Sequence, residues 1–410
     1  MGNRYRFIFT VSIILFPSFF GYVGLNTGQA IYLAFILLLS FIPFLVNSML
    51  VRRHFFNRGI LFIGSLFLLL FIEYSVSSIL NFNRNSYGLN DIIEIFRPLI
   101  YLFCFLTSYI LVNRNPSERA YKFIDTVEKI VFFSSFFEWL KFNKVFYPFF
   151  KLYLVFAYGF PNYIRMSGTT GFAYSYAWVI IFCLFWNVLR NGKITFKFFY
   201  YSFLVLLTGS RTGFAALCAS YAVIFFSVRK TRKTLGISLL IITITMFVLY
   251  FSNVEVVVTA VDYILRLIKT FLGKSSDASM LTRQSQNAEA LRYFDEAALF
   301  GVASNKSKNV LIENFYFHHI RNWGLLGLTL YLMIFILFFL LSKKSYRSFV
   351  FVMMTSAFLI CFSAPLFDEI RIFNILYLVL AACVFPNSDV PIIASKKRRK
   401  FRFAAYFAKV

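Results

Sequence analysis

The sequence predicts an all-α fold, a polytopic membrane helix bundle of about 12 transmembrane helices with one large extracytoplasmic loop between spans nine and ten. Three observations predict it. The residues are 60% hydrophobic and 21% aromatic but only 14% charged, against about 25% charged in an ordinary soluble domain. Apolar runs recur at the length, about 20 residues, that crosses roughly 30 Å of hydrocarbon. The basic residues fall in short clusters between those runs.

The runs lie near 7–25, 29–51, 58–80, 96–113, 121–140, 170–189, 195–209, 212–228, 235–252, 323–342, 346–365 and 369–386. The first follows Arg4 and Arg6 as a signal peptide would, but it lacks a small-x-small cleavage site and reads as a retained span. Twelve spans place RRHFFNR (52–58), NRNPSERAYK (113–122), RNGKITFK (190–197), VRKTRKT (228–234) and SKKSYR (342–347) on one side, with SKKRRK (395–400) in the tail. Every one is basic, so that side is expected to be cytoplasmic, with both termini inside. The chain then divides into nine spans over 1–252, an extracytoplasmic loop over 253–322, three spans over 323–386 and a basic cytoplasmic tail over 387–410.

A net charge of +25, from 42 Lys and Arg against 17 Asp and Glu, would suggest nucleic acid in a soluble chain. Here no basic stripe with interleaved aromatics forms a separate domain, and loop charge that sets topology accounts for it. The partner is the lipid bilayer, not nucleic acid. Cys104, Cys183, Cys218, Cys361 and Cys383 all lie in apolar segments without paired spacing, which suits packing rather than disulfides or metal.

Two outer connections are long, 141–169 and 253–322. The second opens with Val254, Val257, Val258, Val261, Ile264, Leu265, Ile268 and Leu272 on one helical face and Glu255, Thr259, Asp262, Arg266 and Lys269 on the other. Such a pattern suits a helix in the membrane interface or a lid packed on the bundle.

Three arginines fall at the outer ends of spans, Arg97 in EIFRPLIY, Arg165 in RMSGTTG and Arg211 in LTGSRTG, and a fourth, Arg283 in LTRQSQ, sits in the large outer loop. Charge near membrane depth is costly and tends to be functional. The guanidinium fork matches phosphate oxygens, and Arg211 opens a helix, where free N–H groups favour an anion. Each arginine alone could instead snorkel to headgroups or pair with an outer carboxylate; four on one face point to an anion site.

The loop leads into span ten through ENFYFHHIRNWGLLGLTLYL (313–332). If helical from Asn314, then Asn314, His318 and Arg321 share a face, and Glu313 shares the next with Tyr316. Glu313 is a candidate general base for a hydroxyl group, or a first-turn acid facing the helix dipole. His318 is a second catalytic candidate beside His319. The outer acids are scattered without a paired metal-binding motif, and there is no Walker loop or Gly-rich dinucleotide turn. No soluble domain is large enough for a nucleotide sugar. The substrates must therefore be membrane-borne and already activated.

Together these segments resemble the O-antigen polymerase and O-antigen ligase superfamily of surface-polysaccharide assembly. TGSRTG with Arg211 is similar to its Ser-Arg-x-Gly turn, and RMSGTTG with Arg165 and Gly168 to its Arg-x-x-Gly segment. Asn314, Tyr316, Gly324 and Gly327 are similar to its Asn-x-Tyr…Gly-x-x-Gly signature. Glu313 stands where ligases carry histidine, which leans toward polymerase, and GFAYSYAW replaces the usual Asn-Pro after the second motif.

The resemblance implies glycosyl transfer between polyprenyl-diphosphate-linked oligosaccharides, a donor and an acceptor, on the outer leaflet of a bacterial plasma membrane. Arg211 and Arg165, with Arg283, would neutralise the leaving diphosphate, and Glu313 would take the acceptor's proton. Neither metal nor cofactor is implied, and a chain-length regulator is an open partner. Tyr163, Tyr174, Tyr316 and Trp323 are candidate sugar platforms, weighed against core packing. A ligase, or a flippase for lipid-linked sugars, is the alternative. Glu73, Glu128 and Lys129 are the main charges deep in spans, and the one-sided polar groups favour the enzyme.

Overall fold

The computed structural model describes residues 58–83, 87, 89–113, 120–140, 172–227, 231–252, 278–304, 312–344, 346–364, 366–368 and 370–384, with isolated positions between 11 and 39. The described secondary structure is helical. In chain order the principal helices are α1 (Arg58–Leu80), α2 (Leu89–Asn113), α3 (Ala120–Leu140), α4 (Ala173–Asn191), α5 (Phe196–Leu207), α6 (Arg211–Ser227), α7 (Arg232–Phe251), α8 (Ala278–Glu296), α9 (Phe315–Leu341), α10 (Arg347–Cys361) and α11 (Ile370–Val384).

Helix α1 shows why the bundle suits a lipid solvent. Ile60, Ile63, Leu66, Phe67, Leu70, Tyr74 and Ser77 repeat at three- and four-residue intervals and are buried. The opposite face exposes Leu61, Phe62, Leu68, Leu69, Ile72 and Ile79. An outward apolar stripe of that kind is stable where the surroundings are hydrocarbon. Within the described residues four helices are long and apolar enough to cross a membrane: α1, the 91–110 part of α2, α4 and α9. Four shorter apolar helices accompany them, α5, α6, α10 and the 372–384 part of α11. Helix α3, expected as span five, is long enough, but Asp125, Glu128, Lys129 and Glu138 interrupt its apolar run. The first two expected spans fall almost wholly outside the described residues, as do 141–169 and the amphipathic stretch at 254–272.

Helix α4 lies at the centre, with α3, α5, α6 and α10 packed around it; Trp178, Phe182, Phe185 and Trp186 are fully enclosed. A second group sets α1 against α2 and α9, and α11 against α2 and α3. Two sets of contacts mark the ends of the bundle. Lys343 N–H donates to the Cys383 carbonyl, and Trp186 stacks on Tyr346. At the opposite end, Ser77 donates to the Asn322 carbonyl, Asn81 to the Gly301 carbonyl and Ser304 to Asp91.

Helix α9 is broken. Gly324 adopts φ 64°, ψ −169° inside it, one residue after the expected start of span ten at 323. A continuous helix would join the N–H of Leu325 to the carbonyl of Arg321 and the N–H of Leu326 to that of Asn322. The segment 298–303 inserts into those two bonds. Val302 and Ala303 donate to the carbonyls of Arg321 and Asn322, while Leu325 and Leu326 donate to those of Ala298 and Leu299. Four backbone groups stay satisfied through the break, each of which would otherwise cost about 1–3 kcal/mol. Glycine is required on both sides of this crossing. A Cβ on Gly324 would lie 2.2 Å from the Leu299 carbonyl oxygen, and one on Gly301 would lie 2.5 Å from the Gly324 nitrogen.

Candidate active site

The polar end of the bundle is organised by the start of α9. Asn314 has extended backbone (φ −73°, ψ 116°), and its side-chain oxygen accepts from the N–H groups of Tyr316 and Phe317. It is the N-cap, which explains an asparagine at the loop-to-helix junction. Glu313 therefore precedes the helix instead of sharing a helical face with Tyr316.

Helix α8, for which the sequence shows no apolar periodicity, lies along the first turns of α9. Its residues 283, 286 and 293 recur at spacings of three and seven, so one face meets 313–321. Arg283 Nε donates to Glu313 Oε2 at 2.8 Å. Gln286 Oε1 accepts from the Glu313 backbone N–H at 3.2 Å. Further along, Arg321 sits 4.0 Å from Glu289 and above the Tyr293 ring at 4.9 Å. Two sequence candidates thirty residues apart thus meet directly. The face expected for Asn314, His318 and Arg321 serves three purposes: the cap, a contact along the helix, and the α8 interface.

His318 Nε2 lies 3.0 Å from Asn322 Nδ2, and His319 Nε2 lies 3.1 Å from the Tyr74 hydroxyl. His318 is half-buried and His319 buried, so His318 is the more accessible candidate. Tyr316 donates its hydroxyl to the Phe358 carbonyl and packs on Phe362. Trp323 stacks on Tyr74 with centroids 3.8 Å apart and is 2% exposed. These two rings are packing elements, not open sugar platforms. Tyr174 is half-buried and stacked on Phe172; Tyr163 lies outside the described residues.

The other arginines separate into three cases. Arg97 is buried and pairs with Glu94 one turn back on α2, which neutralises it within its own helix. Arg211 is half-buried at the first position of α6, beside Thr212, whose hydroxyl lies 2.6 Å from that of Ser363. Ser363 adjoins Phe362, the ring against Tyr316, so α6 begins at the α9 end of the bundle. Its tight packing has a visible cause: a Cβ on Gly213 would come 2.7 Å from Ala177 Cβ. Arg165 and Gly168 lie outside the described residues.

Glu73 belongs to this region too. It is 4% exposed, and among the described residues neither carboxyl oxygen has a hydrogen-bond partner. It faces Gly327, three residues past the break, where a Cβ would approach Oε2 to 2.8 Å. Its sequence signal was a lone acid in an apolar run. The described residues contain no group of three or more His, Cys, Asp or Glu arranged to hold a metal ion. The arrangement offers one guanidinium beside one carboxylate, a helix start carrying an arginine, and the half-buried His318 on the first turns of α9.

Compared with known proteins, the chain matches no family model and no curated relative.

Proposed function

We propose that this chain is a polysaccharide repeat-unit polymerase of the outer face of a bacterial plasma membrane, within the topology of about 12 spans and cytoplasmic termini read from its sequence. The observation that carries the reading is the Arg283–Glu313 contact at the polar end of the bundle. It sets a phosphate-binding group beside a proton acceptor, the two functions that transfer from a glycosyl diphosphate requires.

In this reading an acceptor sugar hydroxyl attacks the anomeric carbon of the donor glycan. The new C–O bond forms as the bond to the diphosphate oxygen breaks, and direct displacement inverts that centre. The hydroxyl proton passes to the Glu313 carboxylate, and the electron pair leaves with the polyprenyl diphosphate. Arg211 and Arg283, joined by Arg165, offset the charge that develops on the leaving group. Asn314 holds the turn that carries Glu313. His318 is the second candidate for the proton, and the packed positions of Tyr316 and Trp323 leave glycan contact to other groups.

The test is the surface glycan ladder of cells carrying Arg211→Ala or Glu313→Gln at matched expression. Loss of polymerisation leaves single repeat units attached to the surface. An undiminished ladder in both variants would falsify the assignment. A flippase would instead strand lipid-linked repeat units on the cytoplasmic leaflet, and a ligase would leave long polymer untransferred.

A further inference from the structure

The Arg283–Glu313 pair has an asymmetry that bears on how the site is switched on. Arg283 touches the carboxylate through Nε alone, and among the described residues its two terminal nitrogens carry no other partner. The side chains are 32% and 40% exposed, so water and solutes reach both. The backbone beneath Glu313 is fixed by contrast. Its N–H is held by Gln286, itself 8% exposed, and its neighbours Ile312 and Asn314 are buried, Asn314 as the helix cap. Movement of the carboxylate is therefore a rotation of one side chain, with no rearrangement of the helix start.

We propose that Glu313 acts as an intramolecular stand-in for the ligand anion, occupying Arg283 until a diphosphate displaces it. Arrival of the diphosphate transfers Arg283 from one carboxylate oxygen to phosphate oxygens that its planar fork accepts two at a time. The released Glu313 carboxylate is then without its cation and turns to the acceptor hydroxyl. Donor binding thus precedes activation of the acceptor, and the base is masked while the donor site is empty. This rests on the polymerase reading for the identity of the acceptor, but the exchange itself concerns only Arg283, Glu313 and a diphosphate.

An exposed ion pair holds its partners with an equilibrium constant of only a few, which a multiply charged diphosphate overcomes. The exchange has a signature that ordinary binding lacks: removing the carboxylate strengthens diphosphate binding. Binding of undecaprenyl diphosphate is measured on the full chain in lipid nanodiscs, with inorganic pyrophosphate added from water as a second arm. Glu313→Gln is expected to bind the lipid diphosphate about threefold to fivefold more tightly than the unaltered chain. Arg283→Ala is expected to bind at least about tenfold more weakly, and the double variant no more tightly than Arg283→Ala. Glu313→Ala, checked for an unchanged melting midpoint, repeats the gain if the amide disturbs the fold.

Equal affinity in Glu313→Gln and the unaltered chain overturns the exchange, even if Arg283→Ala weakens binding. Undiminished binding in Arg283→Ala removes the arginine from the site and overturns it as well. A gain confined to inorganic pyrophosphate overturns the lipid-linked ligand. A normal glycan ladder alongside the expected binding pattern would reject the polymerase and leave the exchange standing.

Discussion

Two sets of acid–base contacts, at opposite ends of the bundle, differ in how deeply they are built in. Where α3, α4 and α5 meet, Glu128 accepts from Lys197 at 2.7 Å and from the Tyr201 hydroxyl at 2.6 Å, and Lys197 also lies over the Phe132 ring. One turn away Asp125 takes the Trp186 indole N–H and pairs with Arg190. Both acids are buried. Where α8 meets α9, Glu313 is partly exposed and, among the described residues, its carboxylate pairs with Arg283 alone. Several partners around a desolvated acid tie three helices together and make each partner hard to remove. One partner in a wet setting makes a contact that is easily exchanged. The first arrangement suits architecture; the second suits a site whose charges must change hands.

That contrast can be broken at several points. The largest effect is expected for Glu128→Ala, which strands the Lys197 ammonium and the Tyr201 hydroxyl. We expect a loss of about 3–5 kcal/mol, read as a sharp fall in folded yield and melting midpoint in detergent. Gly324→Ala should follow at about 2–3 kcal/mol, because a left-handed backbone and a carbonyl at 2.2 Å both oppose the methyl group. Its melting midpoint should fall while Gly236→Ala, with open space around its Cβ, leaves it unmoved. Arg211→Lys should reduce polymer synthesis about tenfold, equivalent to about 1.4 kcal/mol of barrier, because the ammonium lacks the planar fork; folding should be unaffected. The smallest effect is expected for Arg283→Ala on stability, below about 1 kcal/mol. A collapse of the fold in that variant would place the α8–α9 contact with the architectural pairs and erase the contrast.

Much of the architecture was legible because hydropathy and periodicity are local. The apolar runs at 58–80, 96–113 and 170–189 lie within α1, α2 and α4 or overlap them closely. The ENFYFHHIR stretch correctly marked a helix start, yet Glu313 fell outside the helix because Asn314 takes the cap. Helix α8 escaped notice since its apolar residues do not form a stripe; it is held by Arg283, Gln286 and Tyr293, polar groups whose partners lie about thirty residues on. Trp323 and Tyr316 read first as belt or core aromatics and only second as sugar platforms, and it is their neighbours that decide. Glu73 showed as a deep charge, but the absence of a described hydrogen-bond partner belongs to its packing against Gly327.

The sequence by itself determined a helical chain with long apolar runs, basic clusters between them and arginines apart from those clusters, because each follows from residue type and spacing along one segment. The tertiary structure alone decided which arginine meets Glu313 and that 298–303 completes the hydrogen bonds of a broken α9. Those outcomes depend on distant segments competing for the same donors and acceptors. Such competition is settled by three-dimensional proximity, of which a linear pattern carries no record.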